Sequence, residues 1–514
     1  MASKRHASKE DAARQQRGRC AAVPARPNPG RGDPAAYMGG TTNSRRGQGE
    51  GGFAARALVP FVVLVLAIFG YLSFSPNLFN DGDTSWHLAA GRVILGTGSV
   101  PDADPFSFTF RGRPWVAHEW LAEAVMAAVF RLGAWGALGV LFGFAVSALI
   151  LILGVELGRH VPVRRMLVVL AAVFMVLAPF VLARPHVLAW PLLAGWTLVL
   201  LRAREAGRSP PIPAALLMLL WANLHGSFLF GLVLVGVFGV EALLQEPDRR
   251  RTLQGWSAYG FASLALSLAT PHGIHGLLFP LQVSSMEALP LIMEWRPTSL
   301  SEDLPFLLVL AATIAFLLYR RPGISLPRLI LLGALVYLSL SHARHQPLLA
   351  IVATLLLAEP LSRGSTPEAF SAPPRVVPFL GTFLAGAALL TGIRLSVPTQ
   401  RTDSATGPIA AVDMLPADLR HRPVLNSYGF GGPLILHGIR PFIDGRADLY
   451  GDRFLFEHHR IVAGDAAGFR RAAQRWGIKW TILSPGEPLV RVLDREPGWR
   501  RVYADHYAVI HAKR

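Results

Sequence analysis

Asp81, Asp83 and His87 fall within one short stretch, Asp81-Gly82-Asp83-Thr84-Ser85-Trp86-His87, directly after the first strongly apolar segment at 56–75. Ionisable groups where a span ends and water begins are costly unless they serve a purpose. A carboxylate partly buried there has its pKa raised by desolvation and can take a proton from a hydroxyl near neutral pH. Two carboxylates two residues apart can instead share a divalent cation and its waters. His87 lies one helical turn past Asp83. The plainer reading is an Asp-Gly turn that ends the span, with Asp83 or Thr84 capping the next helix. His118-Glu119 is a second pair, either ligand-binding or a helix start. The sequence holds no HExxH and only one cysteine, Cys20, which argues against a classical zinc site and rules out an intramolecular disulfide.

A second set of polar residues sits in short turns between apolar runs. These turns are Arg184-Pro185-His186, Asn223-Leu224-His225-Gly226, Pro271-His272-Gly273, Glu294-Trp295-Arg296-Pro297 and His342-Ala343-Arg344-His345. Guanidinium and imidazolium groups gathered at span ends on one face would bind a phosphate or pyrophosphate. The alternative is that each simply snorkels to the headgroups. Nearer the C-terminus, Asn426-Ser427-Tyr428-Gly429-Phe430-Gly431-Gly432-Pro433 and Asp444-Gly445-Arg446-Ala447-Asp448 carry glycines that can cradle an anion. The same residues also fit tight turns, with Asp444 and Arg446 as a local ion pair or the loop folded back over the membrane cavity.

The elements that must position these groups follow from composition. Of 514 residues, 52% are hydrophobic and 16% charged, with a mean hydropathy of +0.38. Soluble domains of this size carry roughly 25% charged residues, so a polytopic membrane protein is expected. The net charge of +17 is spread over the N-terminal tail, the short loops and the C-terminal residues rather than clustered on one soluble domain, which argues against a nucleic-acid-binding face, and the arginines of the short loops fit the positive-inside rule. Residues 1–52 hold ten basic and four acidic residues and no apolar periodicity, and read as a disordered cytoplasmic tail. The apolar run that follows starts too late and is too long for a cleaved signal peptide.

About eleven spans follow, at 56–75, 134–156, 165–183, 187–202, 212–224, 228–245, 257–270, 304–319, 326–341, 346–358 and 376–395. Residues 212–245 also read as one bent pair and 272–284 as a re-entrant piece. Arginines cluster in alternate loops, which places the N-terminus inside and the His- and Asp-bearing turns outside, facing a common site. In the first outer loop, 84–95 reads as an amphipathic helix lying in the interface, capped by Thr84, 106–110 as a short strand and 118–130 as a second helix. Residues 399–514 read as an extracytoplasmic α/β domain. Its expected strands are 424–426, 434–436, 442–443, 480–483, 501–503 and 508–510, the last two a hairpin across Asp505-His506. Its expected helices are 466–476 and 489–495.

The stretches DGDTSWHLAAGRVIL, VPDADPFSFT, HEWLAE, WANLHGSF, EWRPT, RHQPLLA and FIDGRADLYG carry a resemblance over about residues 56–514. The chain resembles the GT-C superfamily of membrane glycosyltransferases, and within it a bacterial GT-C-like group. The resemblance implies a polytopic α-helical membrane protein with a C-terminal extracytoplasmic α/β domain in the bacterial inner membrane. It also implies transfer of a sugar from a polyprenyl-phosphate-linked donor, usually with inversion, to an extracytoplasmic acceptor. Asp81 or Asp83 would be the base or acceptor-positioning group, with His87 beside them. Arg184, Arg296, Arg344 and His345 would bind the lipid phosphate, and His118, Glu119, His186, His225, Asp444 and Arg446 complete the substrate-binding set. A divalent metal at Asp81 and Asp83 stays open. The competing readings are a transporter or flippase for a lipid-linked or anionic solute, which should show inverted repeats and mid-span polar residues, and a non-catalytic cell-envelope assembly protein.

Overall fold

The computed structural model describes residues 44–362, 376–399 and 401–514, so residues 1–43 of the expected tail at 1–52 lie outside the described residues, while 44–52 are helical rather than disordered. Contacts divide the chain into Met1–Glu50 and Gly51–Arg514. The apolar runs are helices: α1 (Ser44–Phe74), α2 (Asp83–Thr97), α3 (Trp120–Gly158), α4 (Val163–Leu177) and α5 (Pro185–Glu205). Next come α6 (Leu216–Leu224), α7 (Phe228–Gln245), α8 (Arg249–Ser267) and α9 (Ile274–Ser284). The series closes with α10 (Leu304–Arg320), α11 (Leu326–Ser341), α12 (Gln346–Leu357) and α13 (Val376–Ser396).

Every expected span overlaps one of these helices, although 165–183 and 257–270 run past the ends of α4 and α8 and 212–224 starts before α6. Among the described residues, four helical segments are long and apolar enough to cross a membrane by length and composition: Trp120–Gly158, Val163–Phe180, Pro185–Glu205 and Phe228–Gln245. Shorter apolar helices accompany them. Their outer faces expose large apolar side chains, among them Val168, Phe261, Leu308 and Leu326, which suits lipid and would be a liability in water. Between helices in lipid, association rests on packing and cross-helix hydrogen bonds. The Trp196 indole donates to the Gly231 carbonyl at 2.9 Å and stacks on Tyr259. Trp120 donates to the Asn223 side chain at 2.7 Å, tying α3 to α6. The expected helix at 118–130 and span at 134–156 run together as α3, broken at Gly133 and Ala134, where Ala134 takes φ 48°.

The C-terminal region adds α14 (Ile409–Asp413), α15 (Ala417–Arg420), α16 (Gly431–Leu436), α17 (Ala447–Val462), α18 (Ala466–Trp476) and α19 (Pro488–Leu493). These surround one sheet of order β1-β2-β4-β3, made of β1 (Val424–Asn426), β2 (Trp480–Leu483), β3 (Trp499–Ala504) and β4 (Val509–Lys513). β1 and β2 are parallel, and β3 and β4 form the antiparallel hairpin across Asp505-His506.

Several elements differ from the sequence expectation, each for a physical reason. Residues 434–436 are helical within α16, because Pro433 fixes φ near the helical value and has no N–H for a ladder. Residues 442–443 are not a strand. The buried Asn426 side chain serves as their partner, accepting from the Phe442 N–H at 2.9 Å and donating to the Ile443 carbonyl at 2.8 Å. The alternation at 106–110 makes no strand either. Asp104 accepts from the Phe106 and Ser107 N–H groups, which curls the backbone locally. Phe108 and Phe110 then pack on Phe442, Tyr450 and Phe454.

Nor is α2 a surface helix with one exposed face. Nine of its residues, including Thr84 to Gly91 without a break, are buried, and Trp86, Ala89 and Ala90 share one core with Ile435, Phe442, Ile443 and Phe454 of the C-terminal region. The chain between α1 and α3 and the C-terminal region are thus packed together. Instead of Thr84 capping α2, the Asp81 carboxylate accepts from the Thr84 N–H at 3.0 Å and from its hydroxyl at 3.1 Å.

Candidate functional site

The turn after α1 and the N-terminus of α2 place Asp81 and Asp83 against Arg184, the residue just before α5. Arg184 forks onto Asp81, its Nε donating at 2.7 Å to Oδ2, and its Nη2 stands 3.0 Å from Asp83 Oδ2. Its remaining Nη1 binds Glu294 in the short turn Met293–Trp295. One guanidinium therefore holds three carboxylates from two distant parts of the chain.

The two aspartates differ in environment. Burial alone would raise Asp81, but the Arg184 charge, its forked hydrogen bonds and the Thr84 N–H bring it down to about 2. Asp83 goes the other way. Burial, with the Asp81 and Glu294 charges beside it, outweighs Arg184 and raises it to about 6. The Asp83 side chain keeps 20% exposure against 5% for Asp81. Asp81 is a fixed anchor for the guanidinium, and Asp83 is the less encumbered carboxylate.

One turn along α2, His87 bridges two more acids. Its Nδ1 is 3.1 Å from Glu123 and its Nε2 3.7 Å from Glu119. Glu119 also lies 3.6 Å from His118 Nε2 and 3.4 Å from His225 Nε2. Burial would raise Glu119, yet these three imidazoles hold it well below the usual carboxylate range. The His225 tautomer follows from its neighbours. The Ser227 N–H donates to Nδ1 at 3.1 Å, and the Trp221 indole donates to the Ser227 hydroxyl, which lies 2.8 Å from Nδ1. Nε2 therefore carries the proton toward Glu119. Burial pushes His225 down to about 3, keeping it neutral. His118 is raised, because Glu119 and Asp448 overcome the burial that would lower it.

Arg344 lies over the Trp295 ring at 4.2 Å, within electrostatic reach of Glu294, Arg184 and Glu119. Among the described residues it has no carboxylate within ion-pair distance, unlike Arg184. His345 packs on Phe230 and Trp295, and the His186 Nε2–H donates to the Phe180 carbonyl at 2.9 Å, its ring 6.1 Å from that of His225. His272 lies beside Ala117 and His118.

Three of the expected substrate-binding residues stand elsewhere. Arg296 is taken up by Asp303 at 2.5 Å and Glu302 at 2.6 Å. Asp444 and Arg446 are sealed in the core at 0% and 1% exposure. There Arg446 binds Asp444 at 2.7 Å and Asp104 at 2.8 Å, the Tyr450 hydroxyl donates to Asp444, and Phe106 and Trp115 lie against the guanidinium. This is the local ion pair, extended to Asp104 in the chain between α1 and α3, and its burial leaves it no exposed surface. Glu294 and Glu123 were not among the sequence candidates. Glu294 belongs to the EWRPT turn, but nothing in that turn separates it from Arg296.

The C-terminal region closes directly on the acidic loop. A Cβ on Gly82 would come within 2.1 Å of the Gly429 carbonyl oxygen, one on Gly432 within 2.1 Å of the Gly82 carbonyl oxygen, and one on Gly445 within 1.8 Å of Asp83 Oδ1. These glycines are backbone approaches rather than an anion cradle. Gly445→Ala is expected to push the Asp83 carboxylate off Arg184 while costing only about 1–3 kcal/mol in overpacking. A large loss of activity with a modest shift in thermal unfolding is the pattern to look for, and retained activity would show that the position of Asp83 does not matter.

The residues present do not fit a metal in this arrangement. Both oxygens of Asp81 are committed to Arg184 and Thr84, and among the described residues no three or more His, Cys, Asp or Glu side chains are placed to hold one metal ion together.

No family model and no curated protein matches the sequence. Solved structures do match the fold. The archaeal oligosaccharyltransferase AglB from Archaeoglobus fulgidus, in complex with an inhibitory peptide and a dolichol-phosphate, aligns with a TM-score of 0.53 at 11% identity, over 82% of this chain and 69% of its own. ArnT from Cupriavidus metallidurans, bound to undecaprenyl phosphate, aligns with a TM-score of 0.51 at 15% identity, over 89% of this chain and 98% of its own. The chain shares the fold of these two solved structures.

Proposed function

We propose that this protein is an integral-membrane glycosyltransferase that moves a sugar from a polyprenyl-phosphate-linked donor to an acceptor hydroxyl outside the cytoplasm, with its N-terminus inside and its C-terminal domain outside. The observation that carries this reading is the unequal aspartate pair on Arg184, one carboxylate locked and one freer, at the end of the first span. Two proteins of the same fold are described with a dolichol-phosphate and undecaprenyl phosphate, which supports a lipid-phosphate donor here.

In the proposed reaction, Asp83 takes the proton of the acceptor hydroxyl as that oxygen bonds to the anomeric carbon. The bond from that carbon to the lipid phosphate breaks, and its electron pair leaves with the phosphate. Arg344, which has no carboxylate of its own within ion-pair distance, is the cation placed to take up the growing charge. Asp81 and Glu294 keep Arg184 in place.

The direct test is incubation of purified protein with a panel of polyprenyl-phosphate sugars, scoring release of lipid phosphate. Failure with every donor in the panel counts against the reading. The pH profile adds a sharper criterion. A base must be deprotonated to work, and Asp83 sits near 6, so the rate is expected to rise with pH through about 6 and level off above it. A rate that is flat between about pH 5 and about pH 8 would remove Asp83 from the role.

A further inference from the structure

A second recess lies between 114–116, α9 and the start of α17, and the chemistry above does not use it. It encloses about 270 Å³ and is lined by Trp115, Phe279, Gln282, Met286, Asp448 and Asp452, among others. Asp452 is engaged, accepting from the Ala288 N–H at 2.9 Å. Asp448 is half-buried, and its carboxylate has no side-chain donor among the described residues.

We infer that this recess is the acceptor subsite, and that Asp448 holds a hydroxyl of a carbohydrate-type acceptor. The inference rests on the transferase reading only for the word acceptor. The placement comes from the chain itself. Gly445 abuts the Asp83 carboxylate, and three residues of chain reach no further than roughly 10 Å, so the strap that touches the base also delivers Asp448. A second line of contacts joins the same two points. Phe279 packs on His118 with ring centres 4.2 Å apart, His118 lies 3.6 Å from Glu119, and Glu119 lies 3.7 Å from His87 on the helix of Asp83.

The lining selects the ligand class. Phe279 and Met286 offer apolar surface, while Gln282, Asp448 and Asp452 offer polar edges, a combination that matches the apolar face and hydroxyl rim of a sugar ring. Two carboxylates disfavour an anion or an isoprenoid chain there. A strongly cationic ligand is disfavoured as well, because His118 and Arg446 already act on Asp448 from the protein side. A neutral polyol remains.

The test uses the full-length protein in detergent and measures binding rather than turnover. Methyl glycosides and short oligosaccharides are the probes, with polyprenyl phosphate and a short cationic peptide as references. The unaltered protein is expected to bind at least one glycan probe, and Asp448→Asn to weaken that binding by about tenfold or more, the loss of one charge-assisted hydrogen bond. Gln282→Ala, at a second position of the lining, should weaken it too, and both variants should bind polyprenyl phosphate as before. Glycan binding unchanged in both variants would overturn the assignment. So would capture of the cationic peptide in place of glycans, or polyprenyl phosphate binding with no glycan bound. Loss of polyprenyl phosphate binding in the unaltered protein would count against the transferase reading instead, and leave a glycan effect at Asp448 standing.

Discussion

Asp83→Asn is expected to lower the transfer rate by about 10²–10⁴-fold, the contribution of a positioned general base, without loss of folded protein. The two halves of that expectation have one cause. Asp83 is raised to about 6 because its charged form is disfavoured by burial and by neighbouring carboxylates, so a neutral isostere removes a strain at pH 7. Thermal stability should stay the same or rise. Asp81→Asn should behave in the opposite way. A carboxylate lowered from 3.8 to about 2 contributes stability that is present above its unfolded value and lost as pH falls through its folded one. At neutral pH that contribution is complete, and Asn forfeits it along with the fork on Arg184. Parallel melting curves and initial rates for the two variants decide the matter. Wild-type turnover by Asp83→Asn would refute its role as base, and equal destabilisation by both would refute the division of labour.

Arg446→Met is expected to cost about 3–5 kcal/mol, the penalty for leaving a buried charge without its partner. Here two carboxylates, Asp104 at 2% exposure and Asp444 at 0%, would be stranded in the core between the α1–α3 connection and the C-terminal region. A loss near the upper end of that range is enough to unfold a marginal domain. The companion measurement is Arg446→Met combined with Asp104→Asn and Asp444→Asn. Removing all the charges together should restore much of the stability, because the interaction among them largely offsets their desolvation rather than adding to it. Urea or heat unfolding of the purified protein reads both. If Arg446→Met left unfolding untouched and weakened substrate binding, the residue would return to the ligand set from which its burial removes it.

The membrane helices were legible because their signal is local. A run of apolar residues as long as a bilayer is thick has few other fates; four of the expected spans match helical segments long and apolar enough to cross, and the others fall largely on shorter helices. The terminal hairpin and the 466–476 helix were legible for the same reason, from alternation and helical periodicity within one stretch. Where the reading failed, a distant residue had supplied what local pattern could not. Residues 442–443 take their hydrogen bonds from the Asn426 side chain. The alternation at 106–110 is real, but it sends phenylalanines into a core built by residues more than three hundred positions later.

The site divides along the same line. By itself the sequence determined which chemistry is available: two carboxylates and a histidine at the end of a first span, with cations in the later turns. Only the tertiary structure decided the assignments. Glu294 and Arg296 are two residues apart in one turn, and the backbone sends one to Arg184 and the other to Asp303. Asp81 and Asp83 are just as close in sequence, yet Arg184, from another helix end, forks onto the first and touches the second through one nitrogen at 3.0 Å. Pairing energies between charges depend on distance and burial across the whole fold, and neither quantity is written in the spacing of residues along one strand of chain.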